Sequence, residues 1–295
     1  YFNFYWYWDM SKGELGNDGL DSYLLARNRH DIDFAISICE HGWNLVIPRK
    51  DFQKVSDLIT QKYLSQPNYL HTRDGKLIVE MCDPTGIRTD APLAGAGQKY
   101  TTIDIPAVQN FIETLRLTAK QKLRKDLKIA VRLDANPDQV GTKTTGVFDA
   151  GTCIAPILNR TDVVLNAQAS NAWMTTQAAN WPSFWPCLAQ RIDERPRVGI
   201  MKSSKDIFYY PSYPTANQFR AQLQTVKNWM DGRPQDELSQ FLTLYAWNEW
   251  HEGGILEPNV RDGAHFINNI SDVFNVPYTP LSCRVSGLCP DATGR

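Results

Sequence analysis

The segment Tyr245-Ala-Trp-Asn-Glu-Trp-His-Glu-Gly-Gly-Ile-Leu-Glu-Pro258 sets three carboxylates, an asparagine and a histidine directly behind the apolar run Phe241-Leu-Thr-Leu-Tyr-Ala-Trp247. Charged side chains are costly to bury unless they are paired or used. The run therefore reads as a buried strand, and the acids, amide and tryptophans after it as the lining of a pocket. An apolar strand that ends in chemistry is the signature of an α/β unit.

Working outward, the same order recurs along the chain. Strands are expected at 1–8, 33–39, 75–80, 128–132, 146–150, 197–201 and 241–247, with apolar residues at helical spacing over 51–64, 106–125 and 215–229. Residues 159–190 have no clean period and read as a long excursion with one or two helical turns. No glycine-rich GxGxxG follows any strand, which leaves a dinucleotide site without support. Seven strands alternating with helices predict a TIM-like (β/α)8 barrel over residues 1–275. Because the chain begins inside the aromatic run Tyr1-Phe-Asn-Phe-Tyr-Trp-Tyr-Trp8, the first strand of that barrel is expected upstream of residue 1. Asp9, Glu40 to Asn44, Glu80 to Asp83, Asp134, Asp149, Lys202 to Asp206 and Asn248 to Glu257 would then converge on one rim.

Composition narrows the partners. The 31 Lys and Arg nearly balance the 32 Asp and Glu, without a long run of either sign, which argues against a nucleic-acid partner. No apolar stretch approaches the roughly 20 residues that span a bilayer, so no membrane partner is expected. Of the six cysteines, Cys283 and Cys289 bracket a short loop and are expected to staple an extended tail at 276–295. For Cys39, Cys82, Cys153 and Cys187, bridges and free buried thiols stand equal. Asn159-Arg-Thr161 and Asn269-Ile-Ser271 fit glycosylation acceptors. Together these features predict a secreted, periplasmic or lysosome-like oxidising setting.

Breaking a glycosidic bond takes a proton for the leaving oxygen and a second carboxylate at the anomeric centre. Glu249 and Glu252 are three residues apart, so a helical turn after the strand would put both on one face. Asn248 and His251 can hold sugar hydroxyls or orient the acids, and Glu257 can do either or cap the loop. Trp6, Trp8, Trp43, Trp247 and Trp250 can stack on pyranose rings, although strand tryptophans equally well pack against helices. His41 and Asp149 complete the substrate-binding candidates. The spacing Glu249, Glu252, Glu257 matches no calcium loop and His251 has no histidine partner in the motif, so neither a metal nor another cofactor is expected.

The segment at 247–258 resembles the last-strand motif of the WbsX-like and glycoside hydrolase family 99-like barrels. Phe4-Tyr-Trp-Tyr-Trp8 resembles their second strand, Tyr69-Leu70 with Gly75-Lys-Leu-Ile-Val79 the approach to the fourth, and Gly146-Val-Phe-Asp-Ala150 the sixth-strand signature. Cys39-Glu-His-Gly-Trp-Asn44 departs from the usual third-strand loop, a part of the pocket that selects the sugar. The resemblance implies a retaining hydrolase, monomeric and endo-acting on an α-mannoside-like oligosaccharide or polysaccharide. In it, Glu249 takes the proton of the sugar 2-hydroxyl to form a 1,2-anhydro intermediate, and Glu252 protonates the leaving group and then activates water. The alternative is a WbsX-like glycan-processing or carbohydrate-binding protein without hydrolytic activity.

Overall fold

The computed structural model describes residues 1–42, 44–89, 100, 102–133, 146–154, 167–198 and 214–276. Its strands are β1 (Phe2–Asp9), β2 (Gly13–Leu15), β3 (Phe34–Cys39), β4 (Ile47–Pro48), β5 (Leu77–Asp83), β6 (Ile87–Arg88), β7 (Leu127–Arg132), β8 (Ala150–Thr152), β9 (Cys187–Ala189), β10 (Thr243–Tyr245), β11 (Asn248–Glu249) and β12 (Gly254–Ile255). Its α-helices are α1 (Asp18–Leu25), α2 (Phe52–Ile59), α3 (Ile105–Leu123), α4 (Ala167–Ala179), α5 (Ala216–Asp231) and α6 (His265–Phe274).

Strands β1, β3, β5, β7 and β8 pair side by side, all in parallel. Gly151 in β8 bridges to Phe184, and β9 then pairs in parallel with β10. From there the sheet returns to its start. The Tyr1 hydroxyl donates to the carbonyl of Leu242 at 3.1 Å, and the Phe2 and Trp247 rings meet with centroids 5.7 Å apart. Parallel strands joined through helices and curled until the two ends touch make a TIM-like α/β barrel.

The helices form because their apolar faces have a sheet to cover. Val108, Phe111, Ile112 and Leu115 recur at helical spacing in α3 and are all buried. Burial of each large side chain contributes about 1.5–3 kcal/mol. Asp104 accepts the Ala107 amide at 3.2 Å to start this helix, and Arg124 ends it in the left-handed region. Thr215 and Gln218 close a capping box at the start of α5.

Some elements differ from the sequence expectation. Residues 159–190 contain the thirteen-residue α4 and the strand β9, which the absence of a period had hidden. Strand β8 covers Ala150–Thr152, so it begins at the last residue of the strand expected at 146–150. Arg197 closes a 3-10 turn, Arg195–Arg197, and Val198 after it is extended, so the described part of the segment expected as a strand at 197–201 turns to β conformation one residue later. Residues 199–201, Asp134, Lys202, Asp206, Asn159, Cys283 and Cys289 lie outside the described residues.

The other four cysteines are paired. Cys39 is bonded to Cys82 across neighbouring strands β3 and β5, and Cys153 to Cys187 beside β8 and β9. Two bridges fit an oxidising, extracytoplasmic compartment. The acceptor pattern at Asn269 has a structural use: its side-chain amide donates to the Ala216 carbonyl at 2.7 Å and ties α6 to the first residue of α5.

The parity of β1 decides which side chains reach the barrel interior. Asn3 donates to Glu80 on β5, and Arg132 on β7 reaches the Tyr5 hydroxyl at 3.5 Å. Contacts that skip over β3 exist only on the concave side of the sheet. Even-numbered residues face the helices: Phe4 meets Tyr23 of α1, Trp6 donates to Glu14 at 2.8 Å, and Lys54 of α2 lies over the Trp8 ring. Trp6 and Trp8 are 0% and 2% exposed, so of the two roles open to them, stacking on a sugar or packing against helices, they take the second. Tyr5 and Tyr7 take the interior side in their place.

Gly86 shows how tightly the rim under the site is packed. A β-carbon there would collide with the carbonyl oxygens of Leu45 and Glu40, the latter at 2.7 Å. Gly86→Ala is expected to cost at least about 1–3 kcal/mol, as overpacking does. An unchanged denaturant midpoint would contradict this packing.

Candidate active site

The polar end of the last strand folds back as a hairpin. Strand β11 pairs antiparallel with β12, and the residues between them, Trp250–Glu252, make one 3-10 turn. Two glycines make the hairpin possible. Gly253 has φ +72°, and a β-carbon on it would stand 2.8 Å from Arg191 Nε. A β-carbon on Gly254 would stand 2.8 Å from the Tyr245 ring. Glu249 stands just before this turn and Glu252 ends it, and both reach Arg197, so the two acids lie on one side.

That side faces a second short turn. Asp193 donates its amide to the Glu252 carbonyl at 2.6 Å, and Arg191 Nε donates to the Gly253 carbonyl at 3.0 Å. These bonds bring Arg197 over both acids. Its Nη1 is ion-paired with Glu252 Oε1, its Nη2 is 3.7 Å from Glu249 Oε2, and Glu194 lies 3.9 Å behind it. The buried Tyr245 hydroxyl donates to the second oxygen of Glu252. A guanidinium and a phenolic donor on one carboxylate both favour its ionised form.

Two more groups approach from β1 and β3. The Tyr7 ring meets His41 edge to face, with centroids 6.0 Å apart. Burial, and after it the charge of Glu249, pushes the Tyr7 phenol up; Glu40 and Glu252 add to this, while Arg132 opposes it. Acids from the hairpin, a tyrosine from β1 and a histidine after β3 thus surround one rim of the barrel.

The sequence profile described as "Glycosyltransferase WbsX" matches residues 1–270. The chain belongs to this family. Among the solved structures similar to this WbsX-family chain is the GH99 endo-alpha-mannosidase from Bacteroides thetaiotaomicron, at 13% identity and TM-score 0.45, with 92% of this chain and 72% of that chain covered. The same enzyme in complex with bis-tris propane gives 12% identity and TM-score 0.44, covering 88% and 74%. The CBM22-1-GH10 modules of Clostridium thermocellum endo-1,4-beta-D-xylanase 10B, complexed with xylohexaose, give 13% identity and TM-score 0.40, covering 75% and 44%. No curated protein matches the chain.

The remaining candidates of this WbsX-family site divide sharply. Asn248, Trp250 and His251 are exposed on the hairpin. Trp250 is 49% exposed, with its indole N–H 3.2 Å from Glu257, so one ring face is open to stacking. Trp247 is half-buried against Phe2 and the core. Trp43 lies outside the described residues. Asp149 is a correction: it accepts from Arg116 at 2.6 Å, from Lys128 at 3.2 Å and from the Ile129 amide at 2.8 Å. Those partners sit near the amino end of β7, away from the rim, and make it a structural clamp. Asp9 and Asp83 cap turns, Asp9 through Ser11 and Lys12 and Asp83 through Thr85. Among the described residues, no cluster of three His, Cys, Asp or Glu has the arrangement of a metal site.

Sequence reasoning missed Arg197 and Tyr245. Tyr245 stands at the head of the motif but reads as strand, and Arg197 reads as the start of another strand. Only the hairpin's return brings them to the acids.

Glu40, the last residue before His41, is fully buried. Its Oε1 accepts the Trp8 amide at 2.7 Å, and its Oε2 has no partner among the described residues. Burial, reinforced by Asp83 and Asp9, raises its carboxyl well above the ordinary glutamate value. A raised folded-state pKa contributes stability that is fully present below the unfolded value and is lost as pH climbs through the folded one. Glu40→Gln keeps the acceptor for Trp8 and removes the ionisation. The variant should therefore gain on the wild type in melting temperature as pH rises from acid to alkaline; a constant difference between the two across that range would contradict a neutral Glu40.

Proposed function

We propose that this WbsX-family protein is a carbohydrate-active enzyme, a retaining glycoside hydrolase acting within an α-mannoside-like chain. The observation that carries this reading is the pair Glu249 and Glu252, held on one side of a hairpin at the strand-end rim and both within reach of the Arg197 guanidinium. Two carboxylates at that rim, beside an exposed tryptophan and a histidine, are what glycosidic cleavage asks for. The α-mannoside and the division of labour come from the resemblance of the motif. Glu249 accepts the proton of the 2-hydroxyl as O2 attacks the anomeric carbon, and Glu252 gives a proton to the departing oxygen. Glu252 then takes a proton from the water that attacks the anomeric carbon, and Glu249 returns its proton to O2 as the anhydro ring opens. Ionised beside Arg197 and Tyr245, Glu252 is already in the charge state of that second half. Trp250 supplies a ring face, and Asn248 and His251 supply hydrogen bonds to sugar hydroxyls. The disulfides support work outside the cytoplasm, as a secreted or periplasmic enzyme.

The family's description as a glycosyltransferase favours a second reading, in which the same rim processes or holds a glycan without hydrolysis. Substitution separates the two. Glu249→Gln and Glu252→Gln should each lower release of reducing ends from α-mannan by about 10²–10⁴-fold, the usual worth of a general acid or base. Binding of an oligosaccharide, followed by titration calorimetry, should stay within a few-fold. Full turnover in either variant would overturn the hydrolase assignment; binding without any turnover in the wild type would support the second reading.

A further inference from the structure

Two carboxylates on adjacent turns of one hairpin repel each other, and no hairpin residue carries a permanent positive charge against them. That charge comes from a separate segment. Arg197 ends the 3-10 turn Arg195–Arg197, and that turn is fastened to the hairpin by the Asp193 amide on the Glu252 carbonyl and by Arg191 on the Gly253 carbonyl. We propose that Arg197 is the positioning residue of the site: its guanidinium fixes the orientation of Glu249 and Glu252 and keeps Glu252 ionised in the empty enzyme, so that Glu252 becomes an acid only when a bound sugar displaces that ion pair.

The geometry gives Arg197 unequal holds on the two acids. Its contact with Glu252 is a close ion pair, whereas Glu249 is reached only at 3.7 Å. Tyr245 reinforces the inequality by donating to Glu252 alone. Among the described residues, the groups around the pair include Tyr7 from β1, whose phenol feels both glutamates, Arg132 and Glu40 beside Tyr7, Glu194 behind Arg197, and His251 and Glu257 within the hairpin. Arg197 is 21% exposed at its side chain, so solvent screens the pair only in part, and its Nε is buried without a partner among the described residues. A guanidinium with one buried donor unused and two donors on acids is poised to exchange partners when a ligand with oxygen acceptors arrives. The consequence is a coupling of sugar binding to proton uptake: Glu252 gains from solvent the proton it later gives to the leaving oxygen.

This inference rests on the reading of Glu249 and Glu252 as the reacting pair, so its test is made independent of turnover. The full chain is labelled with ¹³C at glutamate Cδ and titrated by NMR, with the Glu252 signal identified by its loss in E252Q. In the wild type, Glu252 should titrate below the ordinary glutamate value of about 4.3. In R197Q, its midpoint should rise by about one unit or more, as expected when an adjacent cation is removed. In R197K, which keeps the charge, most of the depression should remain. A wild-type midpoint at or above the ordinary value would overturn the proposal even if R197Q fails to fold, and so would equal midpoints in wild type and R197Q. If E249Q or E252Q retained full turnover, the catalytic reading would fall while the titration still reported on Arg197.

Discussion

The hydroxyl of Tyr1 on the carbonyl of Leu242 marks where the curled sheet comes back to its beginning, and the rest of the molecule depends on that return. With Leu242 and Trp247, on either side of β10, held against Tyr1 and Phe2, the carboxyl ends of the parallel strands point to one rim, and side chains from β1, β3 and the last hairpin can meet there. The interior below them is polar. Asn3 is bonded to Glu80, and Arg132 reaches both Tyr5 and the Cys82 sulfur, the latter at 3.0 Å. Glu80 and Arg132 are buried, and each is tolerated there because it finds a partner across the barrel. They also fix the register, since a one-residue slip of β1 would send Asn3 and Tyr5 to the helix side and two aromatic rings into the interior.

On this frame the site is an electrostatic balance. The rim collects Glu40, Glu249, Glu252 and Glu257, and different means keep their charges apart. Glu40 is buried until its charged form is disfavoured, Glu252 is matched by Arg197 and Tyr245, and Glu257 is partly turned toward the Trp250 indole. Environments that drive neighbouring acids towards different protonation states let one site hold both an acid and a base. The two glycines of the motif serve the same end, because Gly253 and Gly254 allow Arg191 and Tyr245 to approach the hairpin backbone closely enough to hold it.

The barrel was largely legible in the sequence because long apolar runs at 33–39, 75–80 and 128–132 alternate with helix-spaced leucines and valines. The parity of β1 was not, because Tyr1-Phe-Asn-Phe-Tyr-Trp-Tyr-Trp8 is aromatic on both faces and a period of two has no sign. Only the polar partners on β5 and β7 decide it. Strand β9 is three residues long between loops, and α4 is rich in alanine, threonine and glutamine, so neither offered a pattern. Asp149 follows an apolar pair as an active-site acid would, yet its partners Arg116 and Lys128 lie in α3 and β7, a matter of tertiary packing. In the site itself, the acid pair was visible because the motif carries it within four residues. Arg197 is more than fifty residues earlier, and nothing in Arg195-Pro-Arg197 announces what it will face.

In the proposed function, Glu249 and Glu252 act together on one anomeric centre, with the 2-hydroxyl of the sugar as the attacking group. The most direct test of that role is the configuration of the first product, followed by ¹H NMR of the anomeric proton while an α-mannan oligosaccharide is cleaved, before mutarotation. The account predicts that the α anomer appears first, since two successive displacements restore the starting configuration. First appearance of the β anomer would mean a single displacement by water, and would contradict it.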